Sequence, residues 1–74
     1  PADEEQLRNV LTSIARDKPM ETWLPGQPRY RAHRLLQWLV REQYVEPPAP
    51  HASAYALTPH GQRFVPQDVL GSEP

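Results

Sequence analysis

The chain has 74 residues, 38% of them hydrophobic, with 10 prolines, no cysteine and a formal net charge of -1. That length allows one small domain with a marginal core, and the lack of cysteine excludes disulfides, thiolate nucleophiles and Cys-based zinc sites. A near-neutral charge exerts no global pull on nucleic acid or anionic lipid, so any such attraction has to be local.

No apolar run approaches the roughly 18 residues of a membrane span, and the acidic start Pro1-Ala2-Asp3-Glu4-Glu5 is unlike a signal or transit peptide. The expectation is a cytoplasmic protein with no membrane contact. Folding rests on hydrophobic packing, with a parent chain or a second copy as the available supplement, so a homodimer or a place in a larger chain stays open.

Residues 3–16 are the clearest helix. Leu7, Val10, Leu11 and Ile14 follow the i, i+3, i+4, i+7 spacing of one apolar stripe. Asp3 is placed to cap the start, Glu4 and Glu5 suit the positive end of the dipole, and Pro19 is the expected stop. Between Pro19 and Pro25 there is room for about one helical turn or a short extended piece, with Trp23 and Leu24 packed against the core. Pro25-Gly26 reads as a turn, since Pro presets φ at the first turn position and Gly accepts a positive φ at the next.

Pro28 suits a first helical turn, and residues 29–43 read as the second long helix. Ala32, Leu35, Leu36, Leu39 and Val40 gather on one side of it, and Tyr30, His33, Arg34, Gln37 and Arg41 on the other, with Arg31 and Trp38 at the margin. The charge is uneven here. From Thr22 to Arg41 there is no Asp or Glu, while Arg29, Arg31, Arg34 and Arg41 supply half of the eight basic residues. Arg and Gln can hydrogen-bond base edges bidentately, and Arg, His and Tyr can reach phosphates. A solvated basic face is the plainer reading of the same pattern.

Residues 44–46 and 54–58 are β-prone, and the proline-rich segment 47–53 between them predicts a hairpin with an exposed, extended tip. Pro59 and Gly61 are expected to close the second strand, with one more turn over residues 62–65 before Pro66. Residues 67–74 read as a tail whose Val69 and Leu70 can fold back onto the core and whose last four residues are loose.

The run from Leu35 to Glu46 resembles the recognition helix and first wing strand of MarR-like and PadR-like winged-helix proteins, where a Leu-x-x-Leu-x-x-x-Gly-Tyr-Ile/Val rhythm is common. Tyr55-Ala56-Leu57-Thr58-Pro59-His60-Gly61 is similar to the second wing strand of those families, which typically ends in Leu-Thr-Pro-x-Gly. The resemblance covers roughly residues 30–65. The chain departs from the pattern at three points. Gln43 stands where the rhythm has Gly, the middle helix is squeezed into residues 19–24, and the wing tip over residues 47–54 carries no Lys or Arg, only His51.

The resemblance implies an α+β fold, a small winged helix-turn-helix with two main helices, a short helical turn and a two-stranded wing, over residues 1–66. The expected core is Leu7, Leu11, Ile14, Leu35, Leu36, Leu39, Val45 and Leu57. It further implies DNA binding of the transcription-regulator kind, with helix 29–43 in the major groove. Arg34, Gln37 and Arg41 would then lie nearest the bases or their phosphates, while Arg29, Tyr30, Arg31 and His33 position the N-terminal end. The alternative is a protein-interaction winged helix, in which these arginines meet an acidic protein surface and Trp38 is the anchor. The sequence has no Gly-rich phosphate loop and no His-Glu-x-x-His helix, and His33, His51 and His60 lack ligand-like spacing. Ser13, Ser53 and Ser72 have no indicated base. Neither an enzyme nor a cofactor or metal is expected.

Overall fold

The computed structural model describes residues 4–50 and 55–70. It is α+β. In chain order, helix α1 (Glu4–Ala15), a 3₁₀ turn (Met20–Thr22), helix α2 (Arg29–Arg41), strands β1 (Val45–Glu46) and β2 (Ala56–Leu57), and two short helices, α3 (Pro59–Gln62) and α4 (Gln67–Leu70), make the layout of a small helix-turn-helix with a two-stranded wing.

α1 buries the stripe its spacing predicts: Leu7, Val10, Leu11 and Ile14 all face inward. Asp3, the cap expected for it, lies outside the described residues. The helix stops at Ala15, short of the expected Arg16, and Pro19 is not what stops it. The Asp17 amide donates to the Ile14 carbonyl and the Lys18 amide to the Ser13 carbonyl, both at 3.0 Å, with Asp17 at φ 57°. Those two bonds and one left-handed residue are the Schellman cap, which satisfies carbonyls that the last helical turn leaves unpaired.

α2 ends the same way. The Gln43 amide donates to the Val40 carbonyl at 3.1 Å, the Tyr44 amide donates to the Leu39 carbonyl at 2.9 Å, and Gln43 sits at φ 65°. The helix is therefore two residues shorter than expected, because residue 43 is the cap of α2 and not its last turn. Pro28 precedes the helix with an extended ψ of 148° and lies just outside it. Between α1 and α2, the squeezed segment is the single 3₁₀ turn, and the Trp23 indole N–H donates to the Lys18 carbonyl at 3.0 Å. The Pro-Gly turn is as expected, with Gly26 at φ 80° and the Gln27 amide donating to the Leu24 carbonyl at 3.1 Å.

The strands are shorter than the β-prone runs. Val45 pairs with Leu57 and Glu46 with Ala56 in antiparallel register, and the Thr58 amide extends the pairing to the Tyr44 carbonyl at 3.1 Å. Pro47 and Pro48 have no N–H to continue the ladder on one side, and Pro59 starts a helix on the other. Of the expected hairpin tip, residues 51–54 lie outside the described residues. The turn expected at residues 62–65 is present, with the Val65 amide donating to the Gln62 carbonyl at 3.2 Å, and it continues a helix that starts earlier: α3 begins at Pro59, with Thr58 as its N-cap. Residues 67–70, expected as tail, form α4, which packs against α1 through its Val69, while Leu70 is 37% exposed. The last four residues lie outside the described ones.

The core joins Leu7, Val10, Leu11 and Ile14 of α1 to Ala32, Leu36 and Leu39 of α2, with Trp23, Val45 and Val65. Leu35 and Leu57, expected among the buried residues, are half-buried and pack on its margin. Leu35 lies at the edge of the α2 stripe, and a two-stranded hairpin covers only one side of β2. Val65 takes a core position because α3 turns the chain inward after β2. Among the described residues no polar side chain is buried and none is left buried without a hydrogen-bond partner. Among the described residues no helix is long and apolar enough to cross a membrane.

Candidate nucleic-acid interface

Because Ala32, Leu36 and Leu39 turn inward, the remaining faces of α2 turn out. Arg29, Tyr30, Arg31, His33, Arg34, Gln37 and Arg41 are all exposed. They do not form one surface. Arg31, Arg34, Gln37 and Arg41 line a single open groove of about 660 Å³, together with the half-buried Leu35 and Trp38. The groove's other residues are Gln6 of α1 and Leu24 and Gln27 of the Pro-Gly turn. Tyr30 adjoins this region, lining a smaller hollow with Arg31 and Arg34, and the Arg31 guanidinium lies 5.8 Å from the Tyr30 ring centroid. Arg29 and His33 lie on the flank of α2 away from the groove, one helical turn apart. The expected set of seven thus divides into a grooved cluster and two outliers.

The groove has one sign of charge. Three guanidiniums line it and no carboxylate does. The ion pair among the described residues is elsewhere, between Arg8 and Glu4 at 2.7 Å on α1, so Arg31, Arg34 and Arg41 keep their donors for solvent or a ligand. Guanidiniums so disposed match phosphate or carboxylate oxygens, and the amides of Gln27 and Gln37 can both donate and accept.

Trp38 connects this groove to a second feature that periodicity did not reveal. Its ring lies 5.7 Å from that of Tyr44, which in turn stacks on His60 at 4.3 Å with only 16° between planes. Phe64 meets Tyr44 edge-on at 5.6 Å, and the Arg8 guanidinium stands 5.8 Å from the Phe64 centroid. The row runs from α2 across the start of the hairpin to α3 and fixes the orientation of the Trp38 indole at the groove edge. Gln6 and Gln27 carry no such signal in the sequence, and Leu24, expected to pack against the core, is half-buried and lines the groove as well. Only the Pro-Gly turn hinted at where the chain doubles back beside α2.

The described residues of the wing, 44–50 and 55–58, contribute no Lys or Arg, and Glu46 is exposed. His51 lies outside the described residues. Among the described residues no group of three or more His, Cys, Asp or Glu side chains is close enough to hold a metal ion.

Comparisons with protein-family models, with curated protein sequences and with solved structures found no match.

Proposed function

We propose that the chain is a winged-helix nucleic-acid-binding module of the transcription-regulator kind, which meets DNA through α2. The observation that carries this reading is the groove lined by Arg31, Arg34 and Arg41 with Gln37, without a carboxylate and without an ion pair to any of the three arginines among the described residues. With α2 in the major groove, Arg34, Gln37 and Arg41 reach base edges or the flanking phosphates, and Arg31 and Tyr30 meet the backbone near the start of the helix. Arg29 and His33, on the flank, are then contacts to a neighbouring phosphate or none. A cytoplasmic setting goes with this reading.

The non-basic wing favours a second reading, a protein-interaction winged helix whose arginines pair with acidic residues of a partner and whose Trp38 is the apolar anchor. Titration of generic duplex DNA at two salt concentrations separates the two. DNA binding through phosphate neutralisation weakens steeply as salt rises. Absence of binding at low salt favours the protein partner.

A further inference from the structure

A helix that only reads duplex DNA needs a convex, polar face. The α2 arginines also line a concavity, and beside Leu24 and Leu35 its apolar part includes one aromatic ring. Trp38 is half-buried, part of its surface lining the groove, and the row through Tyr44, His60 and Phe64 holds it in place. Trp23, the other tryptophan, is 8% exposed and has its indole N–H bonded to Lys18, so it serves the core. Sequence spacing alone left Trp38 at the margin of the helix. The structure puts it beside Arg34, Arg41 and Gln27.

We infer that this groove is a binding site for an unpaired nucleotide of a single strand, with the base stacked on Trp38 and the adjoining phosphates held by Arg34 and Arg41. The inference rests on the nucleic-acid reading above and narrows its ligand. Three kinds of chemistry in the groove converge on it. Guanidiniums without carboxylates select an anion, and the indole gives a flat apolar face that every base can stack upon. The Gln27 and Gln37 amides supply donors and acceptors for a Watson–Crick base edge, which a paired base does not offer. The volume of about 660 Å³ falls within the roughly 300–1,000 Å³ of small-ligand clefts. A duplex, by contrast, presents its bases stacked and paired, so it offers no free base face to the Trp38 ring. The preferred ligand is therefore single-stranded DNA, or a duplex that ends in a single-stranded overhang.

The test uses the whole chain and three labelled probes: a short oligothymidylate, a blunt duplex, and the same duplex with an oligothymidylate overhang. Binding is followed by probe anisotropy and by tryptophan fluorescence. The overhang probe is expected to bind more tightly than the blunt one and to quench the fluorescence. In W38F the remaining tryptophan, Trp23, is shielded, so quenching should disappear while most of the affinity survives through the smaller ring. W38A should weaken overhang binding by roughly 5- to 150-fold, the equivalent of one base stack, and so narrow the difference between the overhang and blunt probes. Should W38A prove unstable, W38F carries the test through the loss of quenching alone. Equal affinity for blunt and overhang probes, with quenching unaltered in W38F, overturns the groove inference and leaves the nucleic-acid reading standing. No binding of any probe at low salt rejects both.

Discussion

The Thr58 hydroxyl donates to the Gln43 carbonyl oxygen at 2.6 Å and accepts from the Gly61 amide at 3.1 Å. One side chain therefore caps α3 and ties it to the left-handed residue that ends α2. This clasp fixes where the wing leaves the helix that carries the arginines. In the Leu57-Thr58-Pro59-His60-Gly61 run, Thr58 is the cap, Pro59 is the first helical residue without a needed N–H, and Gly61 lets the helix approach Tyr44. The run closes the second strand by starting a helix.

Replacing Thr58 by Val keeps the shape and removes both hydrogen bonds. The cap and the bond to Gln43 together should cost about 1–3 kcal/mol. Urea denaturation measures it. A loss within about 0.3 kcal/mol, inside the scatter of ordinary surface substitutions, would show that the clasp carries no weight.

Gly61 is buried, and a Cβ there would collide with the carbonyl oxygen of Tyr44 and stand 3.1 Å from its carbonyl carbon. The obstacle is backbone, which cannot rotate away as a side chain can. Gly61→Ala should destabilise by about 1–3 kcal/mol and disturb the stacked Tyr44 and His60 rings. Denaturation together with the ring proton shifts of the two residues reads both effects. An unchanged midpoint would mean the close approach is relieved cheaply.

Gln43 holds φ 65° without the freedom of glycine. Gln43→Gly should stabilise the chain by up to about 1 kcal/mol, the relief of left-handed strain less the extra backbone entropy of glycine in the unfolded state. The expected signature is a higher urea midpoint with an unchanged slope. A lower midpoint would show that the Gln43 side chain contributes more than its backbone costs.

Leu39 is fully buried between the two long helices and Val45. Leu39→Ala should cost about 2–5 kcal/mol, which in a domain of this size can abolish folding. Circular dichroism against temperature and urea measures the loss. A value below about 1 kcal/mol would contradict the assignment of the inner face of α2, because core truncations of this kind exceed it.

What the sequence made legible is what depends on neighbours in the chain. The apolar stripes of α1 and α2, the Pro-Gly turn and the order of helix, strand, strand follow from spacing and turn chemistry over a few residues. The helix ends are not legible in the sequence because Asp17 and Gln43 cap them in the left-handed conformation that glycine ordinarily takes. The role of Thr58 was hidden because its partner Gln43 lies 15 residues away. The candidate site was half legible. Composition singled out the arginines of α2, but only the fold separates Arg31, Arg34 and Arg41 from Arg29 and His33 and adds Trp38, Gln6, Leu24 and Gln27.

The central claim, that the basic face of α2 binds nucleic acid, is tested most directly by reversing charge in the groove. Arg34 and Arg41 are exposed and unpaired among the described residues, so Arg34→Glu and Arg41→Glu should leave the fold intact. The measurement is DNA affinity as a function of salt for wild type and both variants. Each reversal should weaken binding strongly, and each lost phosphate contact should flatten the slope of log K against log salt by about 0.9. Two folded variants whose affinity and salt slope match those of the wild type would contradict the claim and move the protein-interaction reading ahead.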